Sequence, residues 1–385
     1  MMRFCARIDR SPSYGPVRVK GSFAAQGLQM LHVLHMPRKL GPALLLLALL
    51  VVASSAWSIE DEVVSTDIAP PEPSAPFLEM VGDAPRPGIS GSDTGVKHHL
   101  TDLTEIATPD TDWLEAAAAP ERRDALMAVL LEAHEAELRF EFEDAARGFE
   151  QLADEIETAS YPAWRASRAW WRASDLVPEN DMETRGEYLD RAEALAKDGI
   201  ERDPGCAECM LWRYASLGRL ATVRGLLSAA RNARTMKKLL NQGIELKPTR
   251  KEGQHNSTLG NLYYASAVFN RMVPESFWLR LVVGVSGDKE KAVADAKQAV
   301  ALHPRRVDYQ VEFGAALLCL GTEKGRDEAI HEGRSVLSNA SEFDRLLPTD
   351  DLDLEFARIM AQRPELACSF SRDGFIDVKK AAKAL

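Results

Sequence analysis

Residues 292–304 read AVADAKQAVALHP, a stretch in which Ala292, Ala296 and Ala299 precede Pro304. Offsets of four and three residues place the three alanines on one face of a helix, and the proline cannot continue that helix. The stretches AEALAKDGIERDP at 192–204 and MKKLLNQGIELKP at 236–248 have small or apolar residues and a proline at the same offsets. The sequence therefore predicts an all-α helical repeat array, an α-solenoid built from helical hairpins.

Apolar residues at helical spacing predict five hairpins in this array. Their helices are expected at 122–139 and 144–158, 163–175 and 184–202, 207–223 and 229–245, 254–271 and 289–302, and 307–320 and 326–337. Tyr161 and Pro162 are expected to end the first hairpin. The marker prolines lie 44 and then 56 residues apart, so insertions interrupt a shorter unit.

One insertion, 274–285, lies inside the fourth hairpin and contains FWLRLVVGV at 277–285. This segment is too short to span a membrane. It is expected either to cover the hairpin core or to contact a partner or lipid.

Residues 1–56 have the pattern of a targeting region. Arg38 and Lys39 precede an uncharged stretch at 40–59, and Ser54 and Ala56 suit cleavage before Trp57, so we expect a signal peptide at about 36–56 and a periplasmic or secreted protein. Residues 1–35 are interpreted as an over-extended gene start at Met1, with Met36 the natural start. The alternative is an uncleaved membrane anchor at 40–59.

The rest of the chain divides by composition. Residues 57–110 are rich in proline and polar residues and are predicted to form a disordered tether. The helical array occupies 111–345, and 346–385 is an acidic C-terminal cap or tail with helices predicted at 351–363 and, more weakly, at 378–384.

The charge of the chain limits its partners. The net charge is −11, and removal of residues 1–56 leaves 40 basic against 57 acidic residues, or −17. Such a chain repels phosphate backbones, so the sequence predicts no nucleic-acid partner. No membrane-spanning domain is expected beyond the possible N-terminal anchor.

The helical pattern resembles tetratricopeptide repeats. Leu259, Gly260 and Tyr263 match the first helix of that repeat, Phe313, Gly314 and Leu317 match it more loosely, and Trp164 with Trp171 matches its two aromatic positions. Within that superfamily, the order of Trp164–Trp171, Asp203–Leu217, Leu259–Asn270 and Ala292–Pro304 resembles bacterial relatives of the regulator of microtubule dynamics family over about 120–340. A weaker resemblance is to the T-component of periplasmic TRAP transporters, although the cleavage site lacks the lipoprotein cysteine.

The sequence offers little sign of catalysis. It contains no Gly-x-Gly-x-x-Gly, Walker or Gly-x-Ser-x-Gly motif, so we predict no cofactor and no enzymatic activity. His134 begins half of a zinc-protease motif, but Leu138 replaces the second histidine; a solvated helical face is predicted there, and no metal site.

Four cysteines lie within or after the predicted array. Cys206 and Cys209 form a Cys-x-x-Cys at a helix start, and a structural disulfide or two inert thiols are favoured over redox chemistry or a metal site. A bridge between Cys319 and Cys368 is conceivable, but nothing in the sequence requires it.

The resemblance to tetratricopeptide repeats implies that the concave groove binds a partner. Carried over position by position, it places five residues on that face: Arg172, Trp212, Arg219, Asn261 and Tyr264. Basic and aromatic side chains there suit an extended peptide or an acidic group on a protein partner. The leading hypothesis is a non-catalytic extracytoplasmic scaffold; the alternative is a periplasmic accessory component of a solute transport system. Tubulin is not an expected partner of an acidic secreted protein.

Overall fold

The computed structural model describes residues 110–178, 180–251, 255–347, 349–371 and 374–375. The targeting region, almost all of the tether and the weak helix predicted at 378–384 lie outside these residues. The α-helices are α1 (Asp112–Ala117), α2 (Arg123–Leu138), α3 (Phe142–Glu155), α4 (Tyr161–Leu176), α5 (Met182–Arg202), α6 (Ala207–Arg224), α7 (Leu226–Glu245), α8 (Thr258–Met272), α9 (Phe277–Val282), α10 (Lys289–Leu302), α11 (Val307–Lys324), α12 (Asp327–Ala340) and α13 (Asp350–Gln362).

Short 3-10 helices at Pro120–Arg122 and Pro364–Ser369 and two strands complete the described elements. The strands are β1 (Phe370–Ser371) and β2 (Gly374–Phe375), which pair antiparallel with Phe370 opposite Phe375.

Consecutive helices pack as antiparallel pairs, which confirms the predicted all-α helical array. The pairs are α2/α3, α4/α5, α6/α7, α8/α10 and α11/α12, with α9 inserted between the helices of the fourth pair. The first helices of successive pairs also pack on one another, α4 on α6, α6 on α8 and α8 on α11. A continuous row of first helices results, and it is the row on which the predicted partner-binding residues lie.

The residues that mark the three repeats are packing residues. Ala192, Ala196, Ala292, Ala296 and Ala299 are buried. The helices that carry them end at Arg202 and Leu302, two residues before the marker prolines. The pattern thus predicts the packed face and the end of each helix, as expected from the inability of proline to continue a helix.

Two glycines of α5 give a matched test of this packing. A Cβ atom on Gly199 would lie 2.7 Å from Cys209 Sγ and 3.3 Å from Ala163 Cβ, whereas one on Gly186 would meet only Val223, at 3.6 Å. We expect Gly199→Ala to lower the free energy of unfolding by about 1–3 kcal/mol through overpacking. Gly186→Ala should raise it by about 0.5–1 kcal/mol, because alanine has the higher helix propensity. Urea unfolding of both variants measures whether the free energy of unfolding falls for Gly199→Ala and rises for Gly186→Ala. Equal changes in the two variants would contradict this packing.

The boundary between the first two hairpins differs from the prediction. Tyr161 and Pro162 begin α4 rather than ending the first hairpin, because a proline in the first turn of a helix lacks only an N–H that would have no helical partner. The first helix of the fourth hairpin begins at Thr258 rather than at 254, with Ser257 Oγ accepting a hydrogen bond from Gly260 N.

The C-terminal segment is attached to the array. A disulfide joins Cys319 of α11 to Cys368 in the 3-10 turn, and Arg271 Nη1 of α8 donates to the carbonyl oxygen of Ala367 at 2.6 Å. The helix predicted at 351–363 is α13, which packs on α11 and α12. Its acidic residues Asp350 and Asp353 are buried, so part of the charge of this cap faces inward.

Among the helices that the structure describes, none combines the length and apolar character needed to cross a membrane.

Candidate functional site

One buried charge cluster stabilises the first two hairpins and positions the start of the candidate face. Glu137 of α2 lies 2.6 Å from Arg165 Nη2, 3.0 Å from Arg168 Nη2 and 3.0 Å from Arg172 Nη1 of α4. The three arginines are spaced three and four residues apart, which places them on one face of the helix. The arrangement brings three guanidinium groups to one carboxylate, and only Arg172, at 32% side-chain exposure, reaches solvent to a large extent.

The electrostatics of Glu137 follow from these neighbours. Burial by itself would raise the pKa of the carboxyl group, but the positive charges of Arg168, Arg165 and Arg172 hold the pKa well below its usual range. Aromatic rings balance part of the excess positive charge, since the guanidinium of Arg165 lies 4.5 Å from the ring centre of Phe149.

The prediction of a solvated face at His134 is wrong. His134 is 3% exposed, and its Nδ1 lies 3.0 Å from Arg165 Nη2. The helical pattern around it is amphipathic, but the partner that covers it comes from α4, which its own segment does not reveal.

The first set of predicted binding residues surrounds an aromatic pair. The rings of Trp171 of α4 and Trp212 of α6 lie 5.6 Å apart at 60°. Arg219 of α6 has its guanidinium 5.0 Å from the ring centre of Trp171, and its Nη2 lies 2.7 Å from Asp175 Oδ1. These contacts link α4 to α6, and Arg172 links α4 back to α2. We call Arg172, Trp212, Arg219 and Trp171 the tryptophan set.

The second set lies on α8 and α11. Tyr309 Oη donates to Asn261 Oδ1 at 2.7 Å, and the rings of Tyr264 and Tyr309 stack 5.5 Å apart. Asn261 Nδ2 donates to Asn256 Oδ1 at 2.8 Å, and Arg306 Nη1 donates to the same oxygen at 3.1 Å. We call Asn261, Tyr264 and Tyr309 the tyrosine set.

The two sets lie on the same row of first helices, the tryptophan set on α4 and α6 and the tyrosine set on α8 and α11. Between them, Tyr214 Oη of α6 donates to the carbonyl oxygen of Ala265 of α8 at 3.0 Å, which ties the neighbouring helices together. Every one of the five predicted residues is partly exposed. Each of the five residues links two first helices and is still accessible to solvent. Each can therefore stabilise the array and also contact a partner.

The cysteine pair is a disulfide in this structure. A 2.05 Å S–S bond joins Cys206 and Cys209, and Cys206 Sγ accepts a hydrogen bond from Cys209 N at the start of α6. Both residues are nearly fully buried. The disulfide restrains the start of α6, and its burial leaves a thiol in solution little access to it.

In the described part of the chain, no group of three or more His, Cys, Asp or Glu side chains is arranged to hold a metal ion.

A comparison with known protein families shows to which family the chain is related. Residues 129–342 match the profile of the family described as Regulator of microtubule dynamics protein 1-3. The chain belongs to this family. The match runs from within α2 to just beyond α12, so it includes both residue sets and more than half of the chain. The family resemblance expected from the sequence is thereby confirmed, whereas the tetratricopeptide and TRAP transporter resemblances stay predictions. Membership of the family suggests a non-catalytic role in protein interaction.

No curated protein matches the chain.

Sequence reasoning missed part of both sets. Tyr309 completes the tyrosine set, and Trp171 completes the tryptophan set. Outside the sets, Asn256 and Arg306 extend the hydrogen bonds of Asn261, and Glu137 with Arg165 and Arg168 positions Arg172. The sequence does contain a signal for the arginines that position Arg172. Residues 165, 168 and 172 form a basic stripe on a helix that is otherwise rich in alanine and tryptophan.

Proposed function

We propose that this protein is a non-catalytic extracytoplasmic scaffold that binds an extended segment of a protein partner along its row of first helices. The observation that supports the proposal is the placement of the tryptophan and tyrosine sets on consecutive first helices, α4, α6, α8 and α11. Partly exposed Trp, Tyr and Arg side chains are the types that contribute most to binding energy at protein interfaces.

The chemistry of the sets suits a segment with acidic and apolar side chains. Arg172 and Arg219 are 32% and 16% exposed, so their guanidinium groups can add contacts to a carboxylate at the edge of the bound segment. Asn261 and Tyr264 supply amide and phenol groups suited to backbone hydrogen bonds.

Two features support a location outside the cytosol. The uncharged stretch at 40–59 follows Arg38 and Lys39, as in a secretory signal. Four cysteines form two disulfides, Cys206–Cys209 and Cys319–Cys368, and disulfides persist in oxidising compartments. An acidic protein outside the cytosol would not meet tubulin, so we propose a partner other than microtubules.

A role in solute transport would need an enclosed ligand chamber, and the two cavities bordered by Arg202 and by Phe277 are open ones. A cavity of about 420 Å³ is open and lined by Asp154, Glu157, Asp198 and Arg202. Charged walls of this kind differ from the largely apolar pockets that sequester small ligands. The scaffold is therefore the function that we put forward.

Affinity capture from the native envelope fraction tests the proposal. We expect Arg172→Ala with Trp212→Ala, and separately Asn261→Ala with Tyr264→Ala, to reduce recovery of partners by about tenfold or more, since each pair removes side chains of the hot-spot type. Glu187→Ala with Gln298→Ala, on the exposed faces of α5 and α10, is the matched control and should capture as wild type does. Recovery of the same partners in equal amounts by all forms would overturn the proposal.

A further inference from the structure

Helix α7 is basic in an acidic protein. Its residues Arg231, Arg234, Lys237 and Lys238 are opposed by one acidic residue, Glu245 at its last position, whereas the whole chain has a net charge of −11. Arg231, Arg234 and Lys238 are exposed, and their spacing of three and four residues places them in one stripe. In the described part of the chain, none of the four cations forms an ion pair. The positive field of this stripe is therefore directed to solvent.

The short helix α9 is held beside this basic stripe. Lys237 Nζ donates to the carbonyl oxygen of Ser286 at 3.0 Å, and Arg234 Nη2 donates to that of Val283 at 3.5 Å. Both carbonyls lie just beyond the C-terminus of α9. The insertion and the stripe consequently form one continuous surface.

Two large apolar side chains stand out from this surface. Phe277 is 73% exposed and Leu281, one helical turn later, is 64% exposed. Arg280 is also exposed beside them, while Val285 at the end of the segment is buried. Among the described side chains of segment 277–285, Val285 therefore lies in the core, whereas Phe277 and Leu281 of α9 present apolar groups to solvent.

The acidic residues near α9 are already engaged. Glu275 pairs with Lys324 and accepts a hydrogen bond from Lys289 N, Glu290 pairs with Arg326, and Asp288 caps the start of α10. Asp288 keeps its negative charge, since its cap partner is a backbone N–H, but the unpaired positive charges of Arg280 and the α7 stripe outnumber it among the described residues of this surface.

We propose that α7 and α9 form a docking site for an anionic lipid surface, with Phe277 and Leu281 entering the bilayer interface and the α7 cations contacting the headgroups. A protein segment is a poorer fit, because the open cavity of about 380 Å³ that Phe277 borders is lined otherwise by charged and small polar side chains and by Gly287. Apolar side chains of a peptide would find no apolar wall there. Exposed apolar anchors flanked by cations are the pattern of interfacial membrane contacts. The site is separate from the tryptophan and tyrosine sets.

Vesicle binding tests the proposal. The protein, with the same N-terminus in every variant, is sedimented with vesicles of phosphatidylethanolamine and phosphatidylglycerol and with vesicles of phosphatidylcholine. The ratio of the two affinities is the readout, because an uncharged N-terminal segment would bind both kinds. We expect a preference for the anionic vesicles that weakens as salt rises. Phe277→Ser with Leu281→Ser should weaken anionic-vesicle binding by about tenfold or more, and Arg231→Glu with Lys238→Glu should do so by a similar factor.

Matched controls distinguish loss of this site from a general loss of exposed apolar side chains or of positive charge. Leu176→Ser with Met182→Ser removes two other exposed apolar side chains, and Lys197→Glu with Lys297→Glu reverses two other exposed cations. Both controls should bind as wild type, and circular dichroism verifies that each variant is folded. Absence of any anionic preference in wild type, an equal loss in variants and controls, or retention on an immobilised polyglutamate peptide but not on vesicles would each overturn the proposal.

Discussion

Glu137→Gln is expected to lower the free energy of unfolding by about 3–5 kcal/mol. The change removes the negative charge that Arg165 and Arg168 share, and their side chains are only 4% and 3% exposed. Removing one partner of a buried ion pair leaves an uncompensated charge in a medium that solvates it poorly. Urea unfolding measures the loss. Glu135→Gln on the same helix is the control, because Glu135 is 68% exposed and pairs only loosely with Arg139.

The dependence of this effect on pH distinguishes electrostatics from packing. The pKa of Glu137 is lowered in the folded protein from an ordinary value of 4.5. Its contribution is therefore fully present above pH 4.5 and declines as the pH falls towards the folded pKa, where the unfolded chain binds the proton first. The difference in stability between wild type and Glu137→Gln should be constant at neutral pH and shrink below about pH 4.5. A difference that stays constant into strong acid would contradict the electrostatic explanation.

Arg271→Met is the second change expected to have a large effect. It should lower the free energy of unfolding by about 3–5 kcal/mol. Arg271 Nε and Nη2 lie 2.7 and 2.8 Å from the two carboxylate oxygens of Glu312, both side chains are 1% exposed, and Nη1 donates to the carbonyl of Ala367. The loss would strand a buried carboxylate and release the C-terminal turn. Thermal or urea unfolding measures it.

A double variant refines this prediction. Arg271→Met with Glu312→Leu should recover most of the stability, since an apolar pair can replace a buried ion pair at little cost. Burial already raises the pKa of Glu312 beside its arginine, and the single variant Arg271→Met should raise it further. That variant should therefore lose stability as the pH rises above 4.5, because the folded form must release a proton that the unfolded form has already lost. A double variant no more stable than the single one would contradict the pairing.

The hairpins could be predicted from the sequence because their information is local. Ala192, Ala196 and Gly199 repeat at helical spacing and are buried as expected, and the helix ends near Pro204. The role predicted for Pro162 is wrong because a proline can mark either the end of one helix or the first turn of the next. Local pattern alone does not separate these two roles at Pro162.

The charge clusters could not be predicted in the same way. Glu137 and His134 lie at polar positions of an amphipathic helix, and their burial depends on arginines about 30 residues later, on α4. The contact between Tyr309 and Asn261 spans 48 residues. In an array, such contacts depend on how successive first helices stack on one another. The repeat pattern predicts which residues form each helix but not how the helix is rotated about its own axis against its neighbour.

The stacking also changes the interpretation of the predicted binding residues. Arg219 and Trp212 join α6 to α4, and Asn261 and Tyr264 join α8 to α11. Variants at these positions can therefore weaken binding indirectly by loosening the array. A probe that reports contact with the partner, rather than loss of affinity, avoids this ambiguity.

Site-specific photo-crosslinking in the native envelope tests the central claim most directly. A photoreactive phenylalanine derivative is placed at Trp212 or Tyr264 on the row of first helices, and at Glu187 or Gln298 on the exposed faces of α5 and α10. The scaffold account predicts one common protein adduct from Trp212 and Tyr264 and none from Glu187 and Gln298. Adducts that form only from Glu187 and Gln298, or equally from all four positions, would contradict it.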